Sequence, residues 1–277
     1  MPADQALALL RGRRLVVLTG AGLSTDSGIP DYRGPGAPDR TPMTYQEFVS
    51  GSAARRRYWA RSHLGWGRMR TAHPNPGHHA IAGLDPTLLI TQNVDGLHER
   101  AGSRDVVALH GRIADVICLD CRDVTPRADL QGRLDELNPG WAEAHADVAV
   151  RPDGDVDLEA TDGFVVPDCD GCGGVLKPHV VFFGENVPRD RVERCYAAVD
   201  ALSGDGIDGS GPGALLVAGS SLTVMSGLRF VRRAARNGTP VVIVNRGATR
   251  GDALATYKVE TGCSDFLTEL TAATAVA

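Results

Sequence analysis

Polar residues that could do chemistry follow two short apolar runs of the chain. Gln92, Asn93 and Asp95 come after one run, and His110 follows the next. Amide and carboxylate side chains offer donors and acceptors for the ribose and amide groups of a ligand, although Asp95 could be only a helix N-cap. A histidine whose ordinary pKa is near 6.5 can act as a general base at neutral pH, so His110 is the predicted base.

A glycine-rich turn, Gly20-Ala21-Gly22, follows the first apolar run of the chain. Glycines let backbone N–H groups approach a phosphate, and the start of a helix adds partial positive charge. The third glycine of the common dinucleotide fingerprint is absent, because Thr25 stands in its place. The turn predicts phosphate binding, and an ordinary strand-to-helix turn is the alternative.

Four of the six cysteines form two pairs with two residues between the members of each pair. They are Cys118, Cys121, Cys169 and Cys172. Two such pairs that converge would give a tetrahedral thiolate site for zinc, and four thiolates leave no open coordination position. The sequence therefore predicts a structural zinc, with a redox dithiol as the alternative.

The other histidines carry a weaker signal than His110. His98 and His179 are weaker candidates for chemistry. Surface or packing roles are predicted for the remaining five, which are His63, His73, His78, His79 and His145.

The elements that must position these residues are five unbroken apolar runs, each followed by small or polar residues. Such runs are typical of strands buried on both faces of a parallel sheet. The runs are Leu15–Leu18, Leu88–Ile90, Val106–Leu109, Leu215–Ala218 and Val241–Val244. Helical stretches, Pro76 to Leu84 and Ser226 to Asn237, lie between them. This alternation predicts an α/β, doubly wound, Rossmann-like parallel sheet in which all five polar tails face one crevice.

Residues 112–180 break the pattern, because they hold both cysteine pairs and a strongly acidic stretch. We expect a small zinc-binding domain there, and a Rossmann-like domain formed by residues 1–111 and 181–277. A helical insertion at about 40–75 carries Tyr58, Trp59 and Trp66. The segment Leu176 to Glu185, which leaves the zinc-binding domain, could line a hydrophobic tunnel or be an ordinary core strand.

Composition excludes several classes of protein. The chain has 277 residues, of which 43% are hydrophobic and 23% charged, which is ordinary for a globular protein. Its net charge of −5 argues against nucleic acid as a partner. The apolar runs are too short for a membrane helix, and the first residues do not form a secretory signal, so a cytoplasmic location without membrane contact is expected.

These strings together resemble the sirtuin family, the NAD-dependent protein deacylases, over roughly residues 8–272. The resemblance lies in the Gly20 to Arg33 segment, Thr91 to Asp95, His110-Gly111, the four cysteines, Val181 to Glu185, Gly219 to Ser221 and Asn245. Further strings are similar to the class II branch, to which the mitochondrial lipoamidase and ADP-ribosyltransferase sirtuin belongs. They are Arg57 to Arg61, Pro74-Asn75-Pro76, Lys177 to Glu185 and Gly219 to Leu222. Departures from the commonest deacetylase pattern are Tyr32, Lys177-Pro178 and Arg246-Gly247.

The resemblance implies that NAD and zinc are the cofactors and that acylated-lysine proteins are the substrates. The implied catalytic set is His110, Asn93 and Asp95, with Tyr32 and Arg33 on a loop that closes over the cofactor. The implied NAD-binding residues are Gly20, Ala21, Gly22, Thr25, Asp31, Tyr32, Arg33, Gln92, Asn93, Val94, Asp95, Gly219, Ser220, Ser221, Asn245, Arg246, Gly247 and Cys263. The implied substrate-binding residues are Val181, Phe182, Phe183, Gly184, Tyr58 and Arg61.

Tyr58 and Arg61 have the spacing of the pair that binds acidic acyl groups in some sirtuins. A guanidinium and a phenol can hold a carboxylate, so we expect a bias towards negatively charged acyl groups. The alternative is that both residues lie on a solvated, arginine-rich helix. Other functions left open are mono-ADP-ribosyl transfer to protein, a non-catalytic NAD-binding or ADP-ribose-binding module, and a nicotinamide-dependent dehydrogenase.

Overall fold

A computed structural model describes residues 2–31, 42–145, 158, 160–205 and 211–274 of the chain. The strands are β1 (Leu15–Thr19), β2 (Leu88–Thr91), β3 (Val106–Ala108), β4 (Gly111–Cys118), β5 (Val124–Pro126), β6 (Leu176–Val180), β7 (Ala214–Ala218), β8 (Val241–Val244) and β9 (Tyr257–Val259). The helices are α1 (Pro2–Leu10), α2 (Tyr45–Val49), α3 (Ser52–Thr71), α4 (Pro76–Leu84), α5 (Leu97–Arg100), α6 (Arg127–Leu137), α7 (Trp141–Ala144), α8 (Arg189–Asp200), α9 (Met225–Arg236) and α10 (Cys263–Thr274).

Six of the strands form a parallel sheet with the order β3-β2-β1-β7-β8-β9. All five predicted strands are present, so the predicted Rossmann-like sheet is confirmed. The sequence analysis missed the edge strand β9, which is only three residues long and carries Lys258 at its centre. Strand order changes between β1 and β7, and ligands of such sheets bind at the carboxyl ends beside this change.

Both faces of the sheet are covered, which explains why its strands are apolar without alternation. On one face Val17, Leu216 and Val242 pack against Ile81 of α4 and Phe266 of α10. On the other face the neighbouring residues of the same strands pack against α8 and α9. That second cluster includes Val16, Leu18, Leu215, Ile243, Cys195, Val199, Leu228 and Phe230.

The region with the cysteine pairs builds a second, antiparallel sheet with the order β5-β4-β6. Helix α6 covers this sheet, and its Leu130 and Leu134 are buried against Val116 and Leu176. The division of the chain into two domains stays a prediction, but the described part of residues 112–180 adds no strand to the parallel sheet.

The two helices predicted from the sequence are found almost where expected. Helix α4 begins after Asn75, whose side chain accepts a hydrogen bond from the backbone N–H of His78 at 3.2 Å. Helix α9 begins one residue earlier than predicted and ends before Asn237-Gly238, where Gly238 has φ +70°. The helical insertion consists of α2 and α3. Within the described segments, no helix has the length and apolar character needed to span a membrane.

Candidate active site

Two turns at the carboxyl ends of β1 and β7 pack backbone against backbone. The N–H of Gly20 donates to the carbonyl of Ala218 at 3.1 Å, and the N–H of Gly22 donates to the carbonyl of Gly219 at 2.8 Å. Gly219 has φ +66°, and a Cβ there would lie 2.3 Å from the backbone nitrogen of Leu23. Only glycine fits this position, and the two turns form one continuous surface at the end of the sheet.

Asn93 and Asp95 are tied to the glycine-rich turn through Ser24. The Asn93 amide donates to the Gly20 carbonyl at 3.1 Å and to Ser24 Oγ at 3.0 Å. Ser24 Oγ in turn donates to Asp95 Oδ2 at 2.7 Å. The other Asp95 oxygen accepts the backbone N–H of Leu97 at 2.9 Å, but the N-cap of α5 is Gly96, so Asp95 is not the helix N-cap that the sequence left open. Burial raises the pKa of Asp95, and these two hydrogen bonds oppose the rise.

His110 lies between β3 and β4 with both ring nitrogens hydrogen-bonded. Nδ1 is 2.8 Å from the Gln92 carbonyl oxygen, and Nε2 is 2.8 Å from Ser226 Oγ. A carbonyl oxygen can only accept, so Nδ1 carries the proton and Nε2 presents its lone pair. Burial lowers the pKa of His110 to about 4, although the bond to Gln92 opposes this. The ring is therefore neutral at pH 7, with Nε2 as its basic atom.

The backbone around His110 is fixed where the chain passes from one sheet to the other. The carbonyl of His110 accepts the N–H of Val181 at 2.8 Å. Gly111 has φ +82°, and a Cβ there would lie 2.0 Å from the carbonyl oxygen of His179. The glycine after His110 is therefore required by the close approach of β6, which explains the His-Gly pair seen in the sequence.

A cavity of about 630 Å³ opens at the carboxyl ends of the strands and collects most of the predicted site. Its lining includes the predicted residues Gly20, Ala21, Gly22, Asp31, Tyr58, Arg61, Gln92, Asn93, Val94, Asp95, His110, Val181, Phe182, Phe183, Gly184, Gly219, Ser220, Ser221, Asn245, Arg246 and Gly247. Tyr32 and Arg33 lie outside the described residues. The cavity volume is within the usual range for a site that binds a cofactor-sized molecule.

Two predicted NAD-binding residues are not part of the cavity lining. Thr25 begins a 3₁₀ turn beside the glycine-rich turn, and its hydroxyl donates to the Gly22 carbonyl at 3.0 Å. Cys263 begins α10 as expected, but it is buried and its Sγ lies 3.7 Å from the Val244 carbonyl oxygen. Burial raises the pKa of Cys263 to about 12. Both residues support the backbone at the cavity edge.

Part of the cavity wall is aromatic. Tyr58 of α3 lies with its ring centroid 5.2 Å from that of Phe182, and Phe48 of α2 is 5.5 Å from Tyr58. Arg61 is 6% exposed and its Nε donates to the Leu158 carbonyl at 2.8 Å. The arginine-rich helix therefore turns Arg61 inwards, and the alternative of a solvated Arg61 does not describe this structure.

The turn after β6 is held by a buried lysine. Lys177 is 2% exposed, and its Nζ lies 3.0 Å from Glu185 Oε2. The same carboxylate oxygen accepts the N–H of Phe182 at 2.9 Å, and the carbonyl of Phe183 accepts the N–H of Tyr45 at 2.9 Å. Burial lowers the pKa of Lys177, and the bond to Glu185 opposes this. The segment after β6 therefore lines the cavity, and these hydrogen bonds fix its position.

Several site residues were missed by the sequence analysis. Ser24 lies inside the glycine-rich string, so its place near the site could be predicted from the sequence. Its hydrogen bond to Asp95 could not. Ser226 and Arg229 on α9 also line the cavity, and no local pattern connects them with His110, more than 100 positions away. Of the weaker histidine candidates, His98 is buried against Thr19, and neither it nor His179 lines the cavity.

The four predicted metal ligands converge at one end of the small sheet. Their Sγ atoms all lie within 4.8 Å of one another, with Cys118 3.5 Å from Cys172 and Cys121 3.9 Å from Cys169. A tetrahedral zinc with Zn–S bonds of about 2.3 Å separates its sulfurs by about 3.8 Å. The cluster fits zinc held by four thiolates, with no position left for a substrate.

Comparison with known proteins agrees with this geometry. The model of the Sir2 family matches residues 20–226. An NAD-dependent protein deacetylase 1 of Mycobacterium avium is 53% identical over 272 residues, which cover 96% of this chain and 93% of that protein. The protein of the same name from Streptomyces coelicolor is 55% identical and covers 90% of this chain and 82% of its own length.

Solved structures give the same result. A structure of Sir2 with a p53 peptide and NAD+ has a TM-score of 0.76 at 30% identity, with all of both chains covered. A structure of Sir2 bound to an acetylated peptide has a TM-score of 0.74 at 28% identity, also over both whole chains. The chain belongs to the Sir2 family.

Proposed function

We propose that this protein is an NAD-dependent protein-lysine deacylase that transfers the acyl group to ADP-ribose and releases nicotinamide. The single observation that carries the proposal is His110, a neutral imidazole that lines the same cavity as Asn93, Asp95 and the glycine-rich turn and whose basic Nε2 is directed at Ser226, another lining residue. The names of the related deacetylases support the same activity. A binding module without catalysis would not need a base in this position.

The donor set of the cavity fits NAD. The N–H groups of Gly20, Gly22 and Gly219 donate to backbone carbonyls, so these glycines contribute space for a pyrophosphate close to the backbone. Asn93 and Asp95 suit an amide and a ribose. Ser220 donates to the Gln92 side chain at 2.6 Å, which ties the two strand ends under the site. When bound, NAD supplies the ribose carbon that receives the acyl oxygen and the nicotinamide that leaves.

The chain's own residues supply proton transfer and orientation. His110 Nε2 accepts a proton from a ribose hydroxyl, and the Gln92 carbonyl keeps the required tautomer by accepting the Nδ1 proton. Ser226 orients the ring from α9 until that hydroxyl is engaged. Asn93 donates both of its amide hydrogens, to Gly20 and to Ser24, so its side-chain oxygen is the atom that can accept from a ligand. Phe182 and Tyr58 exclude water from the side where the acyl chain enters.

We further propose that the acyl group is negatively charged and that the protein belongs to the class II branch. Support comes from the interior position of Arg61 beside Tyr58 and from the class II strings around both residues. A guanidinium of low exposure recognises a carboxylate far better than a methyl group. The proposal extends to residues 112–180 as a zinc-binding domain, and to a cytoplasmic location, which cell fractionation tests.

The purified, zinc-loaded protein would be incubated with NAD and matched peptides that carry acetyl-, succinyl-, glutaryl-, long-chain acyl- or lipoyl-lysine. Mass spectrometry would follow nicotinamide and O-acyl-ADP-ribose. Release of both products only with acyl peptide is the expected result. Nicotinamide release with ADP-ribose attached to protein would instead show mono-ADP-ribosyl transfer. Binding of NAD without any release would contradict the proposed function.

A further inference from the structure

An arginine of the zinc-binding region is buried between two tryptophans of the helical insertion. Arg127, the first residue of α6, has no exposed surface. Its guanidinium carbon lies 5.2 Å from the ring centroid of Trp59 and 5.2 Å from that of Trp66. The two tryptophans are seven positions apart on α3 and therefore share one face of that helix. The planar guanidinium fills the gap between them.

The burial of this charge is not explained by hydrogen bonding. Arg127 Nη2 lies 3.5 Å from the Ser62 carbonyl, and in the described part of the chain its Nε and Nη1 have no hydrogen-bond partner. Burial lowers the pKa of Arg127 to about 10, so the group stays charged at neutral pH. An apolar side chain of equal size would stabilise a core at least as well. Arg127 therefore points to a role other than stability.

Arg127 joins two separate hydrophobic clusters. Trp59 packs in the cluster that contains two of the zinc ligands, Cys118 and Cys169. Trp66 packs in a second cluster with Ile29 and Ile113, which also line the cavity. Arg127 stacks on both tryptophans, so it connects the zinc-bearing core with the cavity wall.

The helix between these contacts carries the acyl-facing residues. Tyr58 and Arg61 line the cavity, and each adjoins a residue that Arg127 contacts, Trp59 and Ser62 respectively. A shift or rotation of α3 relative to α6 would move both side chains together. The planar, doubly stacked guanidinium restricts that movement more than a flexible apolar chain would.

We propose that Arg127 is a positioning residue that sets the acyl-binding wall by fixing α3 against the zinc-binding region. The inference rests on the proposed deacylase function and deepens it, because it links the metal site to recognition of the acyl group. Loss of the stacked guanidinium would weaken acyl-peptide binding while leaving proton transfer at His110 and NAD binding intact.

The test compares Arg127→Met with Arg127→Lys and with the matched control Arg56→Met. Arg56 also joins α3 to the other region, through Asp162 at 3.1 Å, but Asp162 is fully exposed and Arg56 is partly exposed, whereas Arg127 is fully buried. Initial rates with glutaryl- and acetyl-lysine peptides would give KM and kcat, and calorimetry would give the Kd for NAD. Hydrogen exchange of the α3 amides would report the helix itself without any turnover.

Arg127→Met is expected to raise the KM of the peptide about tenfold, with kcat and the NAD Kd within about twofold, and to speed exchange in α3. Arg127→Lys should recover part of the KM, and Arg56→Met should behave as wild type. A merely structural role would lower the active fraction, and therefore kcat, at constant KM. An unchanged KM and unchanged α3 exchange would overturn the inference.

The experiment remains decisive in two cases: when Arg127→Met does not fold, and when the wild-type protein shows no deacylase activity. If Arg127→Met does not fold with zinc, Arg127→Lys decides, since a wild-type KM and wild-type α3 exchange in that variant would refute the need for the planar stack. If the wild-type protein shows no acyl-dependent nicotinamide release, the proposed function fails. The exchange measurement still decides whether Arg127 fixes α3.

Discussion

Replacing His98 by glutamine is expected to make folding stability less sensitive to acid. His98 and His78 form a buried pair with ring centroids 4.8 Å apart. His98 Nε2 lies 2.9 Å from Thr19 Oγ1, and His78 Nδ1 accepts the N–H of Asn75 at 3.3 Å. The remaining ring nitrogens, His98 Nδ1 and His78 Nε2, have no hydrogen-bond partner among the residues described. Protonation of either ring would thus bury a charge beside another imidazole.

The size and sign of the effect follow from the pKa values. Burial, and then the neighbouring His78, lower the pKa of His98 from 6.5 to about 3. Below pH 6.5 His98 is protonated in the unfolded chain but not in the folded chain. The free energy of unfolding therefore decreases as the pH is lowered, until the pKa of the folded state is reached. At pH 5 the solution lies about 1.5 pH units below the pKa of an unfolded histidine, which corresponds to a loss of about 2 kcal/mol of unfolding free energy for His98. Above pH 7 the contribution vanishes.

Urea unfolding of the zinc-loaded protein at pH 8 and pH 5 would measure the change. The difference in unfolding free energy between the two pH values should be about 2 kcal/mol smaller in His98→Gln than in the wild type. Acid effects on the zinc site occur in both proteins and cancel in this comparison. His73→Gln, a change at an exposed histidine, should leave the wild-type difference intact.

Equal acid sensitivity of wild type and His98→Gln would refute the reasoning. A second refutation would be a nuclear magnetic resonance titration in which the His98 ring of the folded protein takes up its proton near pH 6.5. Either result would mean that water or a local opening reaches the pair. The buried region around Thr19 and His98 would then be more open to solvent than the structure shows.

His110→Ala should lower kcat about 10²–10⁴-fold, because a positioned base is lost, while the NAD Kd measured by calorimetry changes little; a large loss of NAD affinity would contradict this role. Arg61→Ala should lower activity on glutaryl-lysine about tenfold or more relative to acetyl-lysine, since a charged hydrogen bond is removed; an unchanged ratio would refute the acidic-acyl proposal. Cys172→Ser should abolish stoichiometric zinc binding, measured by metal analysis, and speed amide exchange in β4 and β6; full zinc content in this variant would contradict a site made of four thiolates.

Sequence reasoning brought site residues together where a reactive or polar residue directly follows a buried strand. His110, Asn93 and Gly20 each follow a buried strand, and the parallel topology brings all such strand ends to one edge of the sheet. The zinc site could also be predicted, because the spacing of the four cysteines alone limits what they can bind. In these cases a local pattern and one rule of topology were enough to predict a shared site.

The rest depends on contacts between distant segments. Ser226, near the start of α9, contacts His110 although α9 packs on α8 and β8, and no local sequence pattern predicts this contact. Strand β9 is a short edge strand that carries a lysine, so its hydropathy resembles that of a loop. The burial of the Arg61 side chain could not be predicted either, because the surrounding arginines give α3 the composition of a solvated helix.

Helix α3 shows why composition can mislead at a functional wall. Its arginines suggest solvent, yet Trp59 is fully buried and its indole N–H donates to the Leu176 carbonyl at 3.1 Å. His63, on the same helix, accepts a hydrogen bond from the Gln131 amide of α6 at 2.7 Å. The helix is thus held from the zinc-bearing side by polar bonds and stacked rings, which can fix an orientation that apolar packing leaves adjustable. The proposed recognition of a charged acyl group needs this kind of support, because Arg61 can bind a carboxylate there only if the helix behind it keeps its orientation.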